Sequence, residues 1–393
     1  LRQNHSIDLS GKKYTLFFGD IHGHSDLSPD GYFFSPQHFY DYGKNVANLD
    51  FAALTDHDAP WGMREHPERW EELVDAAEDN YDPGTFTSFI GYEWTSGDGL
   101  VCMNHTLRRR DRWAYLEDPG HFGHRNVYFP SGNVPDGVFS IDDERYNTPE
   151  KLWEAIRPYG AVTIPHHPLG GPVFPFDWSH FDEEMDPVVE IYSGHGNSEC
   201  DWGRHEIYNP YRNGRHSVRF PLDEGRHFGF IASSDCHQGR AGNFSYPFFL
   251  IEWCRFFYGG TSRPPGPGLC AVYSEKLDRE SIFNAIKSRR TYAVTGARIV
   301  LDVRADGHFM GERFKESGAV DITAEYRAVS GVKLIELIKN GQTIRAYKTP
   351  EMQGKIEYTD TKRDTGSDYI YLRLTQEDGH MAWSSPIRID APG

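Results

Sequence analysis

The sequence predicts a mixed α/β domain followed by a small antiparallel β domain, and three observations carry that expectation. From residue 14 to about 297, short apolar runs alternate with longer helical stretches, the pattern of strand–helix units. After Gly296 the pattern changes to strict alternation: Ile299, Leu301 and Val303 are set against Val300, Asp302 and Arg304, and Val320, Ile322 and Ala324 against polar neighbours. A period of two marks half-buried strands. Of the 19 histidines only His308 and His380 lie beyond residue 300, so the imidazole chemistry belongs to the first part. The expected domains are therefore 1–296 and 297–393.

Strands are expected at 14–19, 50–55, 85–93, 161–165, 187–192 and 227–233. Helices are expected at 36–48 and 64–79. A third starts after Thr148, a suitable N-cap, with Pro149 at the first helical position and Leu152, Trp153 and Ile156 on one face. A helix over 279–290 closes the first domain, and the Gly- and Pro-rich stretch 259–268 reads as a loop. In the second domain Asn340-Gly341 and Asp378-Gly379 stand where two-residue hairpin turns are expected.

Composition removes several function classes. With 41 basic and 58 acidic residues the chain carries a formal charge of -17, which argues against a binder of nucleic-acid backbones. No apolar run reaches the roughly 20 residues of a membrane helix, so no membrane partner is expected. The first residue is Leu1, which leaves a cytoplasmic and a periplasmic location both open. Five cysteines contain no C-x-x-C pair, so a zinc ribbon is not expected. Nothing in the sequence fixes an oligomeric state.

The chemistry gathers at strand ends. His22 and His24, two apart after an apolar run, project to one side of an extended chain and can share a metal ion. The later strands end in Thr55-Asp56-His57-Asp58, Gly91-Tyr92-Glu93-Trp94, Ile164-Pro165-His166-His167-Pro168 and Ser233-Ser234-Asp235-Cys236-His237, with Asn104-His105 beyond the third. Parallel strands of a barrel bring such ends to one mouth. Imidazole and carboxylate without thiolate suit Zn, Mn or Fe ions that activate water.

The runs Gly19-Asp20-Ile21-His22-Gly23-His24-Ser25, Thr55-Asp56-His57-Asp58 and Ser234-Asp235-Cys236-His237 resemble the motifs of the PHP (polymerase and histidinol phosphatase) superfamily over residues 14–297. The resemblance implies a distorted PHP-type (β/α)7 barrel, here followed by a small all-β sandwich-like domain. It also implies two or three divalent ions (Mn, Zn or Fe) with a bridging hydroxide that attacks a phosphorus ester. By the resemblance His22, His24, His57, Glu93, Asp235 and His237 are metal ligands, and His105 matches the histidine after the bridging glutamate. Asp30, in Ser28-Pro29-Asp30-Gly31, matches the family's aspartate one residue out of place, so ligand and turn aspartate both stay open. Strand alignment selects His166 as a ligand and leaves His167 to orient a ligand or meet substrate, whereas a His-Pro alignment would select His167.

His195, in Ser193-Gly194-His195-Gly196, reads either as a proton donor to the leaving group or as a solvated loop histidine. Arg240 reads as a clamp on an anionic oxygen or as a surface arginine. Arg108-Arg109-Arg110 reads as a solvated face or a salt-bridged turn, His121 and His124 as ordinary loop histidines or a lid over the site, and Trp61, Trp94 and Trp113 as packing or the lining of a pocket. Residues 289–298 and 382–387 look like the branch of PHP proteins that joins the barrel to a β domain and is associated with carbaryl-hydrolysing esterases. The expected substrate is a small phosphoester. The alternatives are a carboxylic or carbamate ester on the same ions, or a non-catalytic module that retains a structural metal.

Overall fold

The computed structural model describes residues 5–59, 61–96, 122–170, 176–201, 203–207, 213–243, 265–363 and 366–392. Its first part contains β1 (Ser6–Leu9), β2 (Lys12–Asp20), α1 (Pro36–Asn45), β3 (Phe51–Ala53), α2 (Pro67–Asp79), β4 (Thr87–Trp94), β5 (Arg125–Phe129), α3 (Pro149–Ile156), β6 (Val162–Pro165), β7 (Val188–Ser193), β8 (Gly196–Asn197), α4 (Arg219–Asp223), β9 (Gly229–Ala232), β10 (Leu269–Ser274), α5 (Arg279–Lys287) and β11 (Thr291–Val294). All six expected strands are present. The expected loop 259–268 lies largely outside the described residues.

The helices start where local chemistry favours it. The side chains of Ser35, Thr148 and Asp278 accept from the backbone N–H groups of His38, Lys151 and Ser281, so each satisfies a donor that a first helical turn leaves open. Leu152, Trp153 and Ile156 are buried on one face of α3, and Trp70, Leu73, Ala76 and Ala77 on one face of α2.

Strand directions depart from an all-parallel arrangement. Neighbours β2, β3 and β4 are parallel, as are β7 and β9. However, β5 pairs antiparallel with both β4 and β6, and β10 lies antiparallel to β2. The described residues thus form a mixed α/β architecture richer in sheet than the expected ring of parallel units. Both β5 and β10 are absent from the sequence reading: Arg125 and Asn126 interrupt one apolar run, and the other follows directly on the Pro-rich stretch.

The second part contains β12 (Val300–Ala305), β13 (His308–Phe309), β14 (Arg313–Lys315), β15 (Val320–Arg327), β16 (Val332–Lys339), β17 (Gln342–Tyr347), β18 (Gln353–Asp360), β19 (Ser367–Gln376), β20 (Met381–Ser384) and β21 (Ile387–Asp390). One sheet runs β13-β12-β15-β18; the alternating Leu301, Val303, Ile322 and Ala324 are buried and share a core with Ile335, Leu337, Leu372 and Leu374 of the other sheet. The two sheets thus share one apolar core, and this part of the chain is sheet-rich as expected. Asn340 (φ 47°) and Gly341 (φ 72°) form the expected two-residue turn between β16 and β17, both left-handed as that turn requires. At Asp378-Gly379 the loop is longer, because the Gln376 N–H donates to the His380 carbonyl and three residues lie between them.

The second sheet does not stop at residue 296. It continues through β19-β20-β11-β10-β2, with Tyr292 opposite Ser384, so the two parts share a ladder across the expected boundary. The hairpin of β7 and β8 is fastened to the same region by Glu199, which is fully buried. Its carboxylate accepts from Arg373 (2.8 and 2.7 Å), Arg219 (3.1 Å), the Tyr371 hydroxyl (2.6 Å) and the Trp383 indole (2.9 Å). A buried carboxylate with this many donors stays charged, and removing it leaves two arginines without their main counter-charge. Glu199→Ala is therefore expected to destabilise the chain by about 3–5 kcal/mol in urea unfolding. Breaking the exposed Lys12–Glu275 pair with Lys12→Ala should leave the midpoint where it is.

Candidate metal centre

The loops after β2, β3, β4, β6, β7 and β9 meet at one place. Three buried aspartates build their backbones. Asp20 accepts from the N–H groups of Ser234 (2.8 Å) and Gly242 (2.6 Å), Asp56 from the N–H (2.7 Å) and hydroxyl (2.8 Å) of Ser25, and Asp58 from the N–H groups of Thr95 (2.9 Å) and Ile141 (2.8 Å). Each ties one strand-end loop to another, so the side chains between them are preorganised. Gly31 sits so close to the Ser25 carbonyl that a Cβ there would collide with it, which lets the segment carrying Asp30 fold down beside His24.

Glu93 is the hub. Its Oε2 lies 3.4 Å from His22 Nε2, 3.4 Å from His24 Nε2 and 3.5 Å from His166 Nε2; its Oε1 lies 2.8 Å from His124 Nδ1 and 3.2 Å from His57 Nδ1. Asp235 Oδ1 lies 3.3 Å from both His22 Nε2 and His24 Nε2, and its Oδ2 lies 2.9 Å from His195 Nε2. Asp30 bridges His57 Nε2 and His237 Nε2, at 3.2 Å from each.

These separations test whether an ion fits. Four ligands at 2.0–2.1 Å around a tetrahedral ion are about 3.3–3.4 Å apart. His22 Nε2, His24 Nε2, Glu93 Oε2 and Asp235 Oδ1 show that spacing on four of their six edges. It is long for hydrogen bonds, and His24 Nε2 has no hydrogen-bond partner although it is buried. Both ring nitrogens of buried His166 are likewise unsatisfied. Nitrogens and carboxylate oxygens with no thiolate fit divalent ions of the Zn, Mn or Fe kind. Three further groups have ligand atoms within 4.8 Å of one another: His24, His57 and His237; His124, His166 and His167; and His195, Asp235 and His237.

Charge follows the same geometry. Burial opposes ionisation of Glu93, yet His57, His166 and His124 around it hold its carboxyl well below the usual range. Burial and the neighbouring His237 and His57 push His24 down to about 4, and burial with His22 pushes His166 down to about 3, so both rings are neutral, the form that binds metal. Burial also opposes charge on His22 and His57, but Asp235 and Glu190 beside the first, and Glu93 and Asp30 beside the second, raise both well above the ordinary imidazole range.

The structure brings together His22, His24, Asp30, His57, Glu93, His166, Asp235 and His237 from the expected set. His105 lies outside the described residues. His195 and His167 flank the cluster with ring centroids 5.9 Å apart. The guanidinium of Arg240 lies 4.6 Å from the centre of the Phe34 ring and 5.8 Å from that of Tyr42, a cation–π arrangement.

Two residues escaped the sequence reading. In the sequence His124 reads as a loop histidine, because no apolar run precedes it. Since β5 runs antiparallel, the residue before its first position faces the shared mouth. Glu190 Oε2 stands 2.8 Å from His22 Nδ1 and orients that ring for its other nitrogen, a common outer partner of metal-binding histidines. Its signal was a lone carboxylate inside the apolar run Val188-Val189-Glu190-Ile191-Tyr192.

Comparison with known proteins gives likenesses of several kinds. A family model described as a protein of unknown function (DUF3604) matches residues 53–109 and 260–350. An uncharacterized protein of Chlamydia pneumoniae is 24% identical over 349 residues, covering 82% of this chain and 50% of its own length. One from Chlamydia muridarum is 28% identical over 267 residues, covering 61% and 40%. The chain thus spans about half or less of these relatives. Among solved structures, a two-domain protein of Bacteroides vulgatus, described as containing a predicted PHP-like metal-dependent phosphoesterase, is similar over 98% of both chains at 16% identity and a TM-score of 0.47. The lesion-specific endonuclease Q of Pyrococcus furiosus is similar over 69% of this chain and 56% of its own, at 12% identity and a TM-score of 0.37. No helix among the described residues is long and apolar enough to cross a membrane.

Because an ion takes neutral imidazole, loading must displace the protons that His22 and His57 retain. Affinity for Zn or Mn should therefore rise with pH across the range in which those protons are shed, and calorimetry in buffers of different ionisation enthalpy should show proton release. Glu190→Gln is expected to weaken metal affinity by about 10–100-fold without changing the number of ions bound, read by metal analysis after dialysis.

Proposed function

We propose that the chain is a metal-dependent hydrolase of small phosphoesters, with a PHP-type centre of two or three divalent ions (Mn, Zn or Fe). The observation that carries this reading is the quartet of His22, His24, Glu93 and Asp235 at the spacing of ligands around one ion, with Glu93 extending to His57, His124 and His166. Asp30, His57 and His237 offer a second position next to it, and His124 with His166 a third. When bound, such ions supply Lewis acidity toward the phosphoryl oxygens and lower the pKa of water toward about 7.

The chain's own residues supply the rest. Glu93 and Asp235 offset the accumulated positive charge. Glu190 and Thr95, the latter 2.6 Å from His57 Nδ1, fix the rings of His22 and His57, so that Nε2 of His22 faces Glu93 and Asp235 and Nε2 of His57 faces Asp30. His195, whose Nε2 lies 2.9 Å from Asp235 Oδ2 at the edge of the cluster, delivers a proton to the departing alkoxide. Burial, with His166 and His124 nearby, keeps His167 well below the ordinary imidazole range, so it meets substrate as a neutral ring. The net charge of -17 favours a small substrate held at the centre over a nucleic-acid strand held by its backbone.

Metal-loaded protein assayed on matched aryl phosphates and aryl carboxylates should turn over the phosphates; activity confined to the carboxylates would overturn the phosphorus assignment. Asp235→Asn should abolish turnover with an unchanged circular dichroism spectrum. His195→Ala should lower kcat by about 10²–10⁴-fold on an alkyl phosphate, whose leaving group needs a proton, and much less on a 4-nitrophenyl phosphate. Equal losses on the two would remove the proton-donor role.

A further inference from the structure

A second cavity, of about 640 Å³, opens at the seam between the α/β part and the sheet of β16, β17 and β19, and shares no lining residue with the histidine cluster. Its volume falls in the range of small-molecule sites. Among the described residues Arg204, Arg219, Lys333, Lys348 and Arg373 line it, against a single carboxylate, Glu336. That balance runs opposite to the chain as a whole, in which acids outnumber bases by 58 to 41.

The five cations are not equivalent. Arg219 is compensated by Glu199, and Arg373 by Glu199 and Glu336. Arg204, Lys333 and Lys348 make no ion pair among the described residues. They come from three separate segments, the loop after β8, strand β16 and the end of β17, so the fold, not one helix or strand face, gathers them. Uncompensated like charges around one concavity repel each other, and a multiply charged anion relieves that repulsion. Two lysines supply adaptable point charges of the kind that hold phosphate.

We propose that this cavity binds a small phosphorylated anion, independently of the hydrolytic centre. The site takes its uncompensated charge from Lys333, Lys348 and Arg204, while Arg219 and Arg373 form its inner wall.

The test is calorimetric titration of inorganic phosphate into three full-length proteins stripped of metal by chelation and dialysis, so that no ion at the histidine cluster competes for the anion: wild type, Lys333→Glu/Lys348→Glu and Asp235→Asn. Wild type and Asp235→Asn should bind alike, with affinity falling as sodium chloride is raised. The double variant should bind at least about tenfold more weakly, with an unfolding midpoint equal to that of wild type; each lysine replaced by Gln should give a smaller loss in the same direction. Absence of binding in the wild type, binding retained in the double variant, or binding lost in Asp235→Asn would each overturn the proposal. The last of these places the anion on the metal centre.

Discussion

The constraint on which the molecule turns is the burial of Glu93. A carboxylate at about 1% exposure in the middle of a protein is costly unless positive or polarised groups surround it. Five imidazoles from four different segments do so, and none of those segments can move away without weakening the compensation of a buried charge. The site is therefore a packing problem as much as a chemical one. The strand ends must converge to within about 3.5 Å of two oxygen atoms, and the remaining architecture serves that convergence.

The aspartates at 20, 56 and 58 meet that requirement at one remove. Each uses its oxygens on backbone N–H groups of a neighbouring strand-end loop, so the loops hold one another where no continuous ladder exists. Burial pushes Asp56 and Asp58 up to about 6, which shows how strongly the interior resists their charge; the donors reduce that resistance. Asp235 (φ 52°) and His167 (φ 30°) adopt left-handed backbone with ordinary side chains. Such conformations cost of order 1–3 kcal/mol and persist where surrounding structure dictates them. Here they turn a carboxylate and an imidazole into the mouth immediately after β9 and β6.

Much of this was legible in the sequence because its signals were local. An apolar run followed by His-x-His or Asp-x-His needs only a strand and its end, and Thr148-Pro149 or Asn340-Gly341 needs only the next turn of chain. What stayed hidden depended on direction and partnership. His124 became visible only once β5 was seen to run antiparallel, and the sheet that joins β11 to β20 has no local signal at all. Arg240 belongs with these: its place three residues after His237 is legible in the sequence, whereas its stacking on Phe34 and Tyr42 is a partnership that the chain order does not show.

The β part is bound into this arrangement, and the reason lies in the hairpin of β7 and β8. His195 sits at its turn, reaching Asp235, while Glu199 sits just past its second strand, held by Arg373, Tyr371 and Trp383 of β19 and β20. A two-residue strand such as β8 contributes little ladder of its own. Its position is set from both ends, by a carboxylate of the cluster on one side and by the second sheet on the other. The orientation of His195 thus depends on residues nearly two hundred positions later in the chain, which gives the continuous sheet a direct bearing on chemistry at the strand ends.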